Sequence, residues 1–376
     1  MAKLIFYPVG NADSTLIHLA DNRLILKDYC DAHSGNEDDK RIELDEELHS
    51  YLEEQERDYF DVVVFSHAHD DHVQGADGFF WLDHAQTYQG DDRIHIRELW
   101  VPACFILETN LDSAARTIRQ EAKYRLKEGY GIKVFGEPDK LDKWLEDVDI
   151  DPADRASLIV RAGGCVPGFD NRNGQVEIFV HSPFSFRMED EKVDRNGNSL
   201  VFHLTFFEHQ QEHRCILGGD AEYETWDNIV YITKKQGNEE RLDWDLFRIS
   251  HHCSYTALAD ERGDDETQPV ENVASLFDRG SKDCILISSS KPIPEKNSEE
   301  DADIQPPHRQ AAAYYQRVAR EHGNENNFIV TMEWPDQGQP KPVIVETSRY
   351  KLVVRRNISF IGGISSVTHK PSPRMG

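Results

Sequence analysis

One eleven-residue stretch constrains this chain more than any other. Val62-Val63-Val64-Phe65 is an apolar, largely β-branched run that breaks off into Ser66-His67-Ala68-His69-Asp70-Asp71-His72. The run predicts a buried strand, and the imidazoles and carboxylates then fall on the loop past its end. His67 and His69, two apart, point the same way in an extended segment, and Asp71 and His72 can turn back on the same point. A single histidine after a strand is ordinarily a solvated loop residue. Three histidines with an aspartate, spaced H-x-H-x-D-H, crowd too many polar groups into one loop unless a cation joins them. Neutral imidazole and carboxylate are usual ligands of zinc and similar divalent ions. The stretch therefore predicts a metal site built on His67, His69, Asp71 and His72.

Composition limits what such a site can serve. The 376 residues carry 42 basic and 69 acidic side chains, a formal net charge of −27. That excess repels polyanions at long range and leaves no general nucleic-acid footprint. A phosphodiester substrate stays open, because bound divalent cations invert the local field. Six cysteines are scattered without a C-x-x-C pair, which excludes a disulfide framework and a thiolate zinc site. Met1-Ala2-Lys3 runs straight into a strand without signal-peptide features, and no apolar run reaches membrane-spanning length. The expectation is a soluble cytoplasmic protein without a membrane partner; a protein partner is not identified.

Taken in order, Leu4–Tyr7, Thr15–Leu19 and Arg23–Lys27 predict an antiparallel meander at a sheet edge. Asp13 and Asp28 fall where turn-forming aspartates are common. Leu44, Leu48 and Leu52 give a helix over 43–54 one apolar face. A strand at Ile96–Trp100 and a helix at Leu111–Glu128, stopped by Gly129, continue a strand–helix alternation. The acidic segment 137–154 reads as surface helix and loop. Val176–Val180 is a strand entering His181, followed by a charged loop, 188–198. Ser199–Thr205 and Arg214–Leu217 predict a hairpin, with His203, His209 and His213 as plain surface residues. Asp245–Ser250 and Cys284–Ser288 are later strands. Pro306-Pro307-His308 opens a helix, Phe328–Met332 and Pro342–Glu346 predict a closing hairpin, and a strand near 351–354 precedes a flexible tail. The expected division is one domain over 1–350 and a C-terminal strand and tail over 351–376.

Two further strand ends carry candidate ligands. Leu217-Gly218-Gly219-Asp220 places a carboxylate behind two glycines that admit close backbone approach, so Asp220 can bridge metals; the alternative is an N-cap for the helix over 221–231. Ile249-Ser250 runs into His251-His252-Cys253-Ser254, paired histidines at a strand end. A further ligand is open between His181, on ligand chemistry, and Asn198, in the cluster Asn196-Gly197-Asn198-Ser199.

With these motifs in place the sequence resembles the metallo-β-lactamase superfamily, whose first metal motif is H-x-H-x-D-H. The Gly-x-x-Asp-Ser turn at 10–14, the Leu-Ile-Leu-x-Asp at 24–28, the Asn-x-x-Ser-Leu-Val at 196–201 and the His-His-x-Ser at 251–254 are similar to the soluble domain of ComEC, with Ala12 and Cys253 where that branch carries glycine. The resemblance runs from Gly10 to about Glu346. It implies an α/β fold, an αββα sandwich, with Asp220 as the bridging aspartate, His252 as a ligand, His251 facing substrate or supporting the ligands, and His308 as a substrate contact. It implies a binuclear hydrolase holding two divalent metal ions, zinc or manganese, in which a metal-held hydroxide attacks a phosphodiester and Asp71 or His251 moves the proton. With the acidic surface, the expected substrate is small or single-stranded. A carboxylic ester or thioester hydrolase of the same fold, or a metal-binding module acting through a partner, are the alternatives.

Overall fold

Successive residues of a strand face opposite ways, and in this chain that alternation sorts the apolar side chains into layers. The structure, a computed structural model, describes residues 1–111, 113–136, 139–170, 175–184, 188–189 and 192–355. The chain opens as a meander of β1 (Lys3–Phe6), β2 (Thr15–His18) and β3 (Leu24–Lys27). Helix α1 (Leu44–Glu54) leads into β4 (Tyr59–Val64), parallel to β3, and the His/Asp loop ends in the single turn α2 (Asp70–Val73). Then come α3 (Ala76–Phe79), β5 (His95–Pro102), α4 (Ala103–Leu107), α5 (Ser113–Glu128), β6 (Ile132–Phe135), α6 (Asp139–Asp147) and β7 (Ile159–Val160), the strands all parallel.

A second sheet starts with β8 (Cys165–Asp170) and β9 (Val176–Ser182). After a two-stranded ribbon, β10 (Met188–Glu189) and β11 (Lys192–Val193), it continues with the hairpin β12 (Val201–Glu208) and β13 (Gln211–Leu217). Helix α7 (Tyr223–Lys235), β14 (Trp244–Arg248), α8 (Glu271–Phe277), β15 (Gly280–Ser288), α9 (Arg309–Glu321) and β16 (Phe328–Val330) complete it with parallel pairings. The chain then returns to the first sheet as β17 (Val343–Thr347) and β18 (Leu352–Arg355). The strand orders are β18-β17-β1-β2-β3-β4-β5-β6-β7 and β16-β15-β14-β13-β12-β9-β8.

Three cores follow. Leu4, Phe6, Val62, Val64 and Trp100 of the first sheet meet Ile178, Val180, Phe202, Leu204 and Leu246 of the second. The other face of the first sheet, with Leu26, Val63 and Leu99, packs under α1 through Leu44, Leu48 and Leu52 and under α5 through Ile118, Ala122 and Leu126. The outer face of the second sheet, with Ile216, Phe247 and Leu286, packs under Trp226 and Ile229 of α7, Leu276 of α8 and Tyr315 of α9. The molecule is an αββα sandwich. Among the described residues no helix is long and apolar enough to cross a membrane.

Several sequence expectations change here. The segments near 328–332 and 342–346 form no hairpin: β16 pairs with β15 in the second sheet, whereas β17 pairs with β1 in the first. Ile329 and Val345 enter the inter-sheet core from opposite sides, so the connection between them must cross from sheet to sheet. The opening meander is not at an edge, because β17 and β18 add outside β1. Residues 356–376, where the sequence predicts a flexible tail, lie outside the described residues. His203 and His213 are buried rather than on the surface; their Nε2 atoms meet the carbonyls of Asp243 at 3.0 Å and Ser348 at 2.7 Å. His209 alone lies in the exposed turn.

Burial pushes the His203 imidazole down to about 3 and that of His181 down to about 4. The unfolded chain takes up protons below about pH 6.5 that the folded chain refuses, so this part of the stability is full above 6.5 and falls as pH drops toward the folded values. Replacing His203 by Phe should flatten the pH dependence of unfolding free energy between pH 6 and 4.5 by about 1.4 kcal/mol per pH unit, measured by urea denaturation.

Candidate metal centre

The carboxyl ends of β3 and β4 in one sheet and of β13, β14 and β15 in the other deliver polar loops to a single point, the usual position for a site in an open α/β sheet. Six sequence-predicted residues meet there. His72 Nε2 lies 3.2 Å from Asp220 Oδ1, and His252 Nε2 lies 3.0 Å from Asp71 Oδ2 and 3.6 Å from Asp220 Oδ2. His67 Nε2 lies 2.9 Å from His69 Nδ1 and 3.7 Å from Asp220 Oδ2. Two sets of ligand atoms result, Asp71, His72, Asp220 and His252 in one and His67, His69 and Asp71 in the other, each within 4.8 Å of one another. His67, His72, Asp220 and His252 are buried.

These residues fit divalent cations. His72 Nε2 and both carboxylate oxygens of Asp220 are buried without a hydrogen-bond partner among the described residues, although they face one another at ion-pair distance. Polar atoms left in that state cost free energy unless something positive lies between them. Burial opposes charge on Asp220, but His72 and His252 hold its carboxyl well below the usual range. Burial together with His72 and His69 holds the His67 imidazole well below its ordinary value, so the neutral ring keeps one nitrogen lone pair to offer a cation. His72 is the reverse: burial is outweighed by Asp220, Asp28 and Asp71, which hold it well above the ordinary value. A bound cation would displace that proton.

Around the cluster lies a set of groups that sequence reasoning read as turn formers or passed over. Asp28, buried just past β3, has Oδ2 3.2 Å from His72 Nδ1, accepts from Lys27 Nζ at 2.7 Å and takes the Ser66 amide at 2.6 Å on Oδ1. This fixes the ring so that Nε2 faces Asp220. Ser66 Oγ and Ser199 Oγ reach His67 Nδ1 at 3.2 and 3.4 Å, and Ser199 Oγ accepts from the Asp220 amide at 3.1 Å. Arg248, fully buried, pairs with Asp13 and donates from Nη1 to the Gly219 carbonyl at 2.8 Å. Asp13 in turn donates its amide to the Asp71 carbonyl at 3.0 Å. A signal for Arg248 was present: a charged residue inside the apolar strand Leu246-Phe247-Arg248-Ile249.

The paired histidines are set by backbone shape. His251, His252 and Cys253 have φ of 50°, 51° and 65°, a left-handed run of non-glycine residues that costs about 1–2 kcal/mol per residue. It is pinned by the His251 amide on the Gly219 carbonyl at 3.2 Å and the His308 amide on the Cys253 carbonyl at 3.0 Å. His252 Nδ1 meets the Ser289 carbonyl at 2.8 Å, which makes it the protonated nitrogen and turns the Nε2 lone pair to the cluster. His251 Nδ1 is held by Glu222 Oε1 at 3.3 Å and Thr256 Oγ1 at 3.2 Å.

Other predicted residues are placed differently. His181 does not reach the cluster. Val180 faces the inter-sheet core, so His181 points to the outer face, where its Nε2 meets the Arg241 carbonyl at 2.9 Å and its ring lies against Phe179 and His203. Asn198 is buried and donates to the Asp194 carbonyl; its neighbour Ser199 makes the contacts with His67. His308 precedes α9, and its Nδ1 accepts from the Tyr255 amide at 3.3 Å. Asp220 is not a helix cap, since α7 begins at Tyr223 behind Glu222.

The cluster opens, through His69, Asp71, Asp220 and His251, onto a cleft of about 550 Å³. Comparison with protein-family models finds no match, and comparison with curated proteins finds none. Among solved structures, the chain is similar to a candidate metal-dependent hydrolase from Parabacteroides distasonis, at 12% identity and a TM-score of 0.33 over 87% of this chain and 92% of that one. It is similar to a diphosphatase of the PhnP family, at 9% identity and 0.35 over 93% and 98%, and to a long-form RNase Z from yeast, at 14% and 0.35 over 77% and 40%. At this distance the chemistry has to be read from the chain's own residues.

Asp28→Asn keeps the shape but weakens the hold on His72 Nδ1. Divalent-metal affinity, measured by chelator competition, should fall roughly 10–100-fold, with the far-UV circular dichroism unchanged.

Proposed function

We propose that the chain is a metal-dependent hydrolase of phosphodiester bonds that works with two divalent ions, zinc or manganese. The observation that carries this reading is the meeting of four histidines and two aspartates at the floor of an open cleft, with His72 Nε2 and both Asp220 oxygens buried and without a hydrogen-bond partner among the described residues. Asp71, His72 and His252 would hold one ion, and His67 and His69 the other. Asp220, within 3.2 to 3.7 Å of His72, His252 and His67, would be shared. A closed structural site, built for stability or for a partner, would be sealed and is usually made of Cys and His; this one is carboxylate-rich and opens to solvent. The phosphodiester class follows from the sequence resemblance to the ComEC-like branch.

Bound divalent ions supply Lewis acidity at the phosphoryl oxygens and lower the pKa of water. The chain's own residues do the rest. Asp71, a third exposed and facing the cleft, takes a proton from the attacking water. His251, anchored through Nδ1 and lying in the cleft wall, gives one to the departing oxygen. A P–O bond to the water oxygen forms as the ester P–O bond breaks, leaving a phosphomonoester and an alcohol.

Metal content and turnover of bis(p-nitrophenyl) phosphate with added zinc or manganese test the reading. About two ions per chain are expected, with activity removed by chelation and restored by metal. Asp220→Ala should cost at least about 100-fold in kcat/KM, and His251→Ala roughly 100-fold in kcat with little change in KM. Turnover of carboxylic esters alone, or metal binding without any turnover, would overturn it.

A further inference from the structure

The cleft over the cluster has a wall whose construction the hydrolytic centre does not require. Asn11, in the turn after β1, uses both ends of its amide on one distant loop: Oδ1 accepts from the Lys291 amide at 2.9 Å, and Nδ2 donates to the Pro306 carbonyl. The whole connection between β15 and α9 is thereby fastened across the first turn, and Lys291 and Gln305 become lining residues of the cleft. The outer part of that loop carries Glu295, Glu299, Glu300 and Asp303 against Lys296, while Asp301 is paired with Arg262 and Arg309, so its surface repels a long polyanion. The cleft itself is of the size that encloses a small molecule, about 300–1,000 Å³.

Within this acidic setting two cationic side chains, Arg41 and Lys291, line the cleft. Arg41 is fixed in place. Its Nε and Nη2 fork onto Asp39 at 2.9 and 2.6 Å, and its stem lies so close to Gly10 that a Cβ there would come within 3.2 Å. Gly10, at φ +87°, supplies both the turn and the room. Arg41 Nη1 has no hydrogen bond among the described residues, and the Lys291 ammonium forms no ion pair among them. A guanidinium oriented by a carboxylate, with donors to spare, suits a phosphate.

We infer that Arg41 and Lys291 bind a second, uncleaved phosphate, and that the substrate is a small phosphodiester bearing one, such as a 5′-phosphorylated dinucleotide, rather than an internal stretch of a polymer. This rests on the phosphodiesterase reading above. The test compares dithymidine monophosphate with and without a 5′-phosphate, and circular single-stranded DNA, on the metal-loaded full chain. The 5′-phosphorylated dinucleotide should be favoured roughly tenfold or more in kcat/KM, mainly through KM. Arg41→Ala and Lys291→Ala should each erase most of that preference. Lys296→Gln, which removes a charge paired with Asp265 at 2.6 Å outside the cleft, should leave it intact. Equal turnover of the two dinucleotides, unchanged preference in both variants, or cutting of circular DNA as fast as of the dinucleotide overturns this inference and leaves the hydrolase standing. No turnover of these substrates or of bis(p-nitrophenyl) phosphate overturns both.

Discussion

Asp220 is a carboxylate buried at the foot of the cleft and held in its ionised form, and the rest of the molecule is arranged around the cost of that burial. Burying an isolated carboxylate costs several kcal/mol even after relaxation, and only close opposite charge offsets it. Here the opposite charge is that of His72, delivered from the end of β4, while His67 from the same loop and His252 from the end of β14 bring their Nε2 atoms within 3.7 Å of the same carboxylate. The two sheets are therefore joined by electrostatics as well as by the apolar layer between them. Each half alone would leave its share of the charge unmatched.

The groups behind the ligands show how such a centre is held to shape. Gly219 accepts at its carbonyl from both Arg248 and the His251 amide, so the turn carrying Asp220 and the turn carrying His252 are one unit. The left-handed run at 251–253 spends conformational free energy, and strain of this kind persists where surrounding contacts over-determine it. Asp13 closes the circuit by joining Arg248 to the Asp71 backbone. The candidate ligands are thus held in place by neutral and ionic hydrogen bonds of the chain itself, which would reduce the ordering required to bind a cation.

The strand–helix alternation was legible from apolar runs of strand length and from a helix whose leucines, 44, 48 and 52, recur every fourth residue; the αββα order came with the family resemblance. His67, His69, Asp71, His72, Asp220 and His252 were legible because each follows an apolar strand at its end. His181 follows one too, and it shows the limit of that signal. Parity along a strand is fixed only once the face that looks toward the partner sheet is known, and Val180 takes that face. Asp13, Asp28 and Arg248 were harder, since a lone aspartate in a turn or a lone charge in a strand has an ordinary local explanation. Their role comes from pairing with groups distant in the chain, such as Asp28 with His72 and Asp13 with Arg248. The pairing of β17 with β1 and not with β16 was hidden for the same reason.

That last pairing has a consequence for synthesis on the ribosome. β1 lies between β2 and β17, and Ala2 bonds through its amide to Thr347 Oγ1 at 2.8 Å. One side of the first strand can zip onto β2 as soon as the hairpin emerges. The other side waits for residues made more than 300 positions later, roughly 15–70 seconds at ordinary elongation rates. Throughout that interval the nascent chain presents an open strand edge next to apolar Leu4 and Phe6, an edge that needs protection from wrong pairing.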